Sequence, residues 1–184
     1  MEIVRTAIPD VVIVTPKRFG DDRGFFSEVF NAQAFTEALG LFTFVQDNHS
    51  LSATPGTVRG LHYQTEPAAQ GKLVRCAKGR ILDVAVDIRR SSPTFGQHVA
   101  VELSAENWSQ LWVPPGFAHG FCTLVPDCEV LYKVTHLYSP ANDCGIAWDD
   151  PDLGIAWPVA PGGATLSVKD GKHPRLKDQP HVFA

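Results

Sequence analysis

The chain has 184 residues, with 15 glycines and 14 prolines spread along its length. Long helices have little room between them, so a helical bundle is excluded in favour of short strands joined by turns. A hydrophobic content of 44% with a formal net charge of −4 excludes a disordered chain and argues against a nucleic-acid binder working through a bulk basic surface, while leaving a local cationic pocket open.

In chain order, a short apolar run, Val11 to Val14, precedes a turn-rich stretch from Phe19 to Gly24. Asn31 to Leu39 is the best helix candidate, with Asn31 as N-cap and Gly40 at the stop. From residue 56 onward the pattern has period two. Leu82, Val84, Val86 and Ile88 share one face of the run Ile81 to Ile88, and Asp83, Ala85 and Asp87 share the other. Further strands are expected at Lys72 to Ala77, Gln97 to Leu103, Gln110 to Val113, Gly120 to Leu124 and Glu129 to Leu137. Strands at this spacing predict an all-β, antiparallel sandwich or barrel such as a jelly roll, with short peripheral helices, as a single domain over residues 1–184. No apolar run approaches the roughly 20 residues that cross a bilayer. Four cysteines without a CxxC pair, and a start at Met1-Glu2-Ile3 unlike a signal peptide, lead us to expect reduced thiols and a cytoplasmic location.

Histidine titrates near neutral pH and is the first place to look for chemistry. His62 lies in Arg59-Gly60-Leu61-His62-Tyr63-Gln64, with Lys72 ten residues on. A cation-lined cavity with a histidine base suits an anionic substrate. Pro114-x-Gly116-x-x-His119 resembles the second metal motif of cupins, but Gln64 follows His62 where their first motif has a second histidine, and an amide is a poor substitute for imidazole on a transition metal. No nucleophile elbow, Walker loop or Gly-x-Gly-x-x-Gly loop occurs. For an enzyme, proton transfer without a cofactor is what remains.

Several segments, in order from about residue 20 to residue 170, carry a family resemblance. They are Asp22-Arg23-Gly24-Phe25-Phe26-Ser27-Glu28, Gln46-Asp47-Asn48-His49-Ser50, Val58 to Gln64, Gln70-Gly71-Lys72-Leu73-Val74, Asp83 to Asp87, Pro115 to Phe121, Tyr132-Lys133, Ile146-Ala147-Trp148 and Leu166-Ser167-Val168-Lys169-Asp170. The chain closely resembles the dTDP-4-dehydrorhamnose 3,5-epimerase family of metal-free, homodimeric, cupin-like jelly rolls.

The resemblance implies epimerisation of dTDP-4-dehydro-6-deoxy-D-glucose through an enolate at the C4 ketone, with no cofactor and no metal. It leaves open whether C3, C5 or both invert, in rhamnose or in antibiotic-sugar synthesis. It assigns the base to His62, oriented by Asp170, the opposing acid to Tyr132, and a cation near the oxyanion to Lys72. It also implies substrate contacts from Arg23, Phe25, Glu28, Gln46, Asp47, Asn48, Arg59, His119, Asp143 and Lys169. Two alternatives are a metal-dependent cupin using His62 and His119, and a non-catalytic sugar-nucleotide binder. Beside the resemblance, the residues speak partly for themselves. Lys72 alternates with Val74 and Cys76, which places it on a barrel-interior face, where an unpaired ammonium is costly and an anionic ligand would offset the cost. The segment after Asp170 has no expected role.

Overall fold

The computed structural model describes residues 1–160 and 162–184. Two antiparallel sheets face each other. One has the order β1 (Glu2–Arg5), β2 (Val12–Thr15), β10 (Gln110–Val113), β7 (Lys72–Lys78), β12 (Cys128–Val134) and β5 (Gln46–Ser52). The other runs β13 (Asp143–Gly145), β6 (Val58–Gln64), β11 (Phe117–Thr123), β8 (Arg80–Asp87) and β9 (His98–Ser104). A separate ribbon pairs β3 (Arg18–Asp21) with β4 (Gly24–Ser27). From β5 to β13 every step except β8 to β9 crosses from one sheet to the other, as in the expected jelly roll.

Period-two patterning decides which side chains meet. Val74, Cys76, Leu111 and Val113 of the first sheet pack on Ile81, Ala85, Leu103, Phe117 and Phe121 of the second. On the outer side of the second sheet, Val84, Val86 and Ile88 bury against Leu153 and Leu176, with Val182 and Phe183 packed beside them. The terminal segment, for which no role was expected, thus forms the cover of a sheet. This is why both faces of β8 are buried from Asp83 to Asp87, the two aspartates included.

The outer side of the first sheet is covered by helix α1 (Ala32–Leu39), whose Phe35 packs on Trp112 amid Phe30, Phe42 and Phe44. Asn31 caps it by accepting the Ala34 N–H at 3.0 Å, and Gly40 ends it at φ +98°. The stretch from Phe19 to Gly24 is a hairpin rather than a plain turn: Phe19 pairs with Phe26, and the chain reverses at Asp22-Arg23. Strands β5 and β6 lie in polar or glycine-containing sequence and were not expected as separate strands.

Candidate active site

At one end of the sandwich the interior changes from apolar to polar. A cavity of about 340 Å³ opens there between the sheets, in the size range of small-molecule sites. His62 enters it from β6 of one sheet, whereas Lys72 on β7 and Tyr132 on β12 enter from the other.

The position of His62 depends on a close approach of two backbones. Gly60 sits at φ +128°, and a Cβ there would lie 2.6 Å from Gly120 Cα. Only glycine lets β6 and β11 meet so closely, in a register that pairs His62 with His119.

His62 Nε2 is 2.5 Å from Asp170 Oδ1. Asp170 is buried in the short 3₁₀ turn Asp170–Lys172, where its own N–H donates to Ser167 Oγ at 3.0 Å. Burial alone would raise the carboxyl pKa. The imidazoles of His173 and His62, with Ser167, instead hold it well below the usual carboxylate range. An ionised carboxylate only accepts, so Nε2 of His62 carries the hydrogen and Nδ1 carries the free lone pair. Burial pushes the His62 pKa below its ordinary value against the pull of Asp170, and Lys72 and His173 push the same way. The free imidazole is therefore neutral at pH 7 and ready to accept a proton.

Lys72 is buried and donates from Nζ to the His62 carbonyl at 3.1 Å. Burial lowers its pKa to about 8, with Asp83 and Asp143 pulling it up. The charge is thus maintained at neutral pH within a cavity wall, available to an anion. Burial raises the Tyr132 hydroxyl above its ordinary value against a weaker pull from Arg59, so the phenol keeps its proton. His119 bonds Asp83 Oδ1 at 2.8 Å. Asp83 Oδ2 is buried without a hydrogen-bond partner among the described residues. Asp87, on the same strand face, instead binds Arg89, Ser92 and Thr94 and serves the loop beyond β8.

Of the expected substrate contacts, Gln46, Asn48, Arg59, His119, Asp143 and Lys169 line this cavity. Arg59 is held by Ser52 Oγ and the Leu51 carbonyl, each at 3.1 Å. Burial would raise the Asp143 pKa, but Lys169 and Tyr138 both bond its carboxylate and hold it low.

Four expected contacts lie elsewhere. Asp47 alternates with Gln46 and Asn48, so it points to the outer side of β5 and pairs with Lys133 at 2.9 Å. Arg23, Phe25 and Glu28 belong to the ribbon and the loop after it. Arg23 is exposed and bound to Asp21, Phe25 stands edge-on to Trp108 at 5.0 Å, and Glu28 accepts from Asn31.

Residues not expected at the site include Tyr138, Ser167 and His173. Tyr138 lacks any distinctive sequence signal, Ser167 lies inside the last motif but was given no role, and His173 lies after that motif.

His62, Asp170 and His173 bring three donor atoms within 4.8 Å of one another. The 2.5 Å between His62 and Asp170 is too short for two ligands spread around an ion at about 2 Å from each, so this pair is a hydrogen-bonded one. The second imidazole of the cupin-type metal reading, His119, is engaged with a different carboxylate, Asp83.

A family model described as dTDP-4-dehydrorhamnose 3,5-epimerase matches residues 5–178. A dTDP-4-dehydrorhamnose 3,5-epimerase of Shigella flexneri is 59% identical over 92% of this chain and 93% of its own. A crystal structure of dTDP-6-deoxy-D-glucose-3,5-epimerase from Legionella pneumophila, in complex with dTDP-4-keto-L-rhamnose, superimposes with a TM-score of 0.92 at 47% identity, covering 96% of this chain and 93% of that one. The dTDP-4-dehydrorhamnose 3,5-epimerase of Bacillus anthracis, with TDP and pyrophosphate bound, gives 0.91 at 48% identity, covering 95% and 98%.

Proposed function

The chain belongs to the dTDP-4-dehydrorhamnose 3,5-epimerase family, and on that premise we propose how its cavity performs the epimerisation. The enzyme is an isomerase that converts dTDP-4-dehydro-6-deoxy-D-glucose to dTDP-4-dehydro-L-rhamnose, inverting C3 and C5 on the way to dTDP-L-rhamnose.

The observation that carries the residue assignment is that His62 and Tyr132 line one cavity from opposing sheets. The protons at C3 and C5 both flank the C4 ketone. His62 Nδ1 takes one of them, the C–H electrons form the enolate, and negative charge develops on the C4 oxygen. Lys72 supplies a preorganised cation for that oxygen. Tyr132 delivers a proton to the other face of the carbon, the enolate collapses to the ketone, and the centre is inverted. A proton passing from the His62 imidazolium to the Tyr132 phenolate through solvent resets the pair. Asp170 holds His62 in the tautomer this needs. Every step is proton transfer, so the reading requires neither metal nor cofactor.

The diphosphate is assigned to Arg59 and Lys169 at the cavity, with Gln46, Asn48, His119 and Asp143 as polar contacts. Arg23, Phe25 and Glu28 stand away from this chain's own cavity. The ribbon that carries the first two exposes Phe19, Phe25 and Phe26 at 54%, 56% and 71%. A monomer gains nothing from such a face. We assign it to a homodimer, in which one copy's ribbon approaches the other's nucleotide. No helix among the described residues is long and apolar enough to cross a membrane, and four free thiols suit work in the reducing cytoplasm.

Incubation with the 4-keto sugar nucleotide, followed by proton NMR of the hexose ring, tests the reaction. Coupling constants that change at both C3 and C5, and persist after EDTA treatment, are expected. An unchanged ring, or activity lost to the chelator and regained with a metal, would overturn the reading. Inversion at C3 alone would reduce the enzyme to a mono-epimerase.

A further inference from the structure

The catalytic carboxylate has a second imidazole beside it. His173 Nε2 lies 3.6 Å from Asp170 Oδ1, the same oxygen that His62 Nε2 meets at 2.5 Å. The two rings stand nearly perpendicular, at 77°, with centroids 5.6 Å apart. The His173 side chain is only 10% exposed, and its Nε2 is buried without a hydrogen-bond partner among the described residues. A buried donor without an acceptor is rare in a folded chain, and the ionised Oδ1 has a lone pair to spare.

The seat for this ring is built in. A Cβ on Gly145 would fall 2.4 Å from its Cε1 and Nε2 atoms, so the ring occupies space that only glycine leaves. Gly145 is also the β-ladder partner of His62. The backbone on both sides is pinned: the Ala147 N–H donates to the Pro174 carbonyl at 2.8 Å, and the Gln179 amide donates to the Gly145 carbonyl at 2.9 Å.

We infer that His173 is a positioning residue for the epimerisation base: its Nε2–H anchors Asp170 Oδ1, so that the carboxylate, held from two sides, presents a single geometry to His62. The inference rests on the reading of His62 as the base. Closing the 3.6 Å gap needs a shift of well under 1 Å, within the range over which apo catalytic hydrogen bonds tighten on substrate binding. His173 also takes up part of the Asp170 charge that favours the His62 imidazolium. The other charged groups acting on His62 are Asp170 itself, Lys72 and Asp143. None of them replaces an N–H on Oδ1.

Steady-state kinetics of His173→Ala and His173→Gln across pH, with thermal melts of each, test this. His173→Ala should lose about tenfold in kcat with KM within about twofold. The acid limb of its kcat/KM profile should move to higher pH, because Asp170 then pulls harder on the His62 proton. His173→Gln places an amide N–H near the position of Nε2 and should restore most of kcat. An Ala variant with unchanged kcat and acid limb overturns the inference. So does a well-folded Gln variant as slow as Ala, or a loss that only tracks the melting temperature, since each leaves the ring as mere filler. If the Ala variant does not fold, the Gln variant decides alone: near-normal kcat supports the anchor and a slow folded enzyme refutes it. Failure of the underlying reading is seen separately, as solvent exchange into substrate that survives His62→Ala.

Discussion

At the scale of single residues, two burial effects set the working pH from opposite sides. His62 titrates below its ordinary value because it is buried beside Lys72 and His173, and Lys72 titrates near 8 because it is buried. On the roles proposed for them, His62 is competent as a base above the first and Lys72 is charged below the second, so kcat/KM should hold a plateau through neutrality and fall above about pH 8. Lys72→Met should cost about 10² to 10³ in kcat and abolish the alkaline limb.

The same substitution should stabilise the fold. Lys72 has a folded-state pKa lowered from 10.5 to about 8, so its unfolded state binds the extra proton between those values, and the penalty is complete below pH 8. Lys72→Met should therefore melt higher than wild type at pH 7, with the gain shrinking as pH rises from 8 toward 10.5. An equal or lower melting temperature at pH 7 would show that the ammonium is not under strain. Period-two reading of the sequence did place Lys72 on an interior face beside Val74 and Cys76. It had no means of pairing His62 with Asp170, which lie 108 positions apart. His173 was invisible for the same reason, because its meaning depends on a glycine in another strand.

Among the elements, the ladder of β5 explains why adjacent motif residues part company. Gln46 and Asn48 face the cavity while Asp47 faces outward to Lys133. Alternation was present in the sequence, but a polar run gives it no apolar face from which to assign inside and outside. The ribbon β3–β4 was legible only as turn chemistry, since the glycines and aspartates that make its reversal outweigh four-residue strands. Its exposed phenylalanines lead to an element-level prediction. In light scattering the wild type should run at dimer mass and Phe26→Asp at monomer mass. A wild-type monomer, or a variant dimer of unchanged mass, would remove the ribbon from the interface.

For the molecule as a whole, strand spacing and Gly/Pro punctuation sufficed to indicate an antiparallel sandwich or barrel such as a jelly roll, with short peripheral helices. What they could not show is that the sandwich is apolar at one end and polar at the other, which follows only from strand register. On the proposed roles, that polarity is what turns a barrel into a catalyst: one sheet contributes His62, the other Tyr132 and Lys72, and the C-terminal segment folds back to supply Asp170. The most direct measurement is NMR of deuterium entry at C3 and C5 in deuterated water. Wild type should incorporate deuterium at both carbons with inversion. His62→Ala should slow incorporation by about 10² to 10⁴, and Tyr132→Phe should admit deuterium without inversion. Deuterium at neither carbon in the wild type, or undiminished exchange in His62→Ala, would contradict the account.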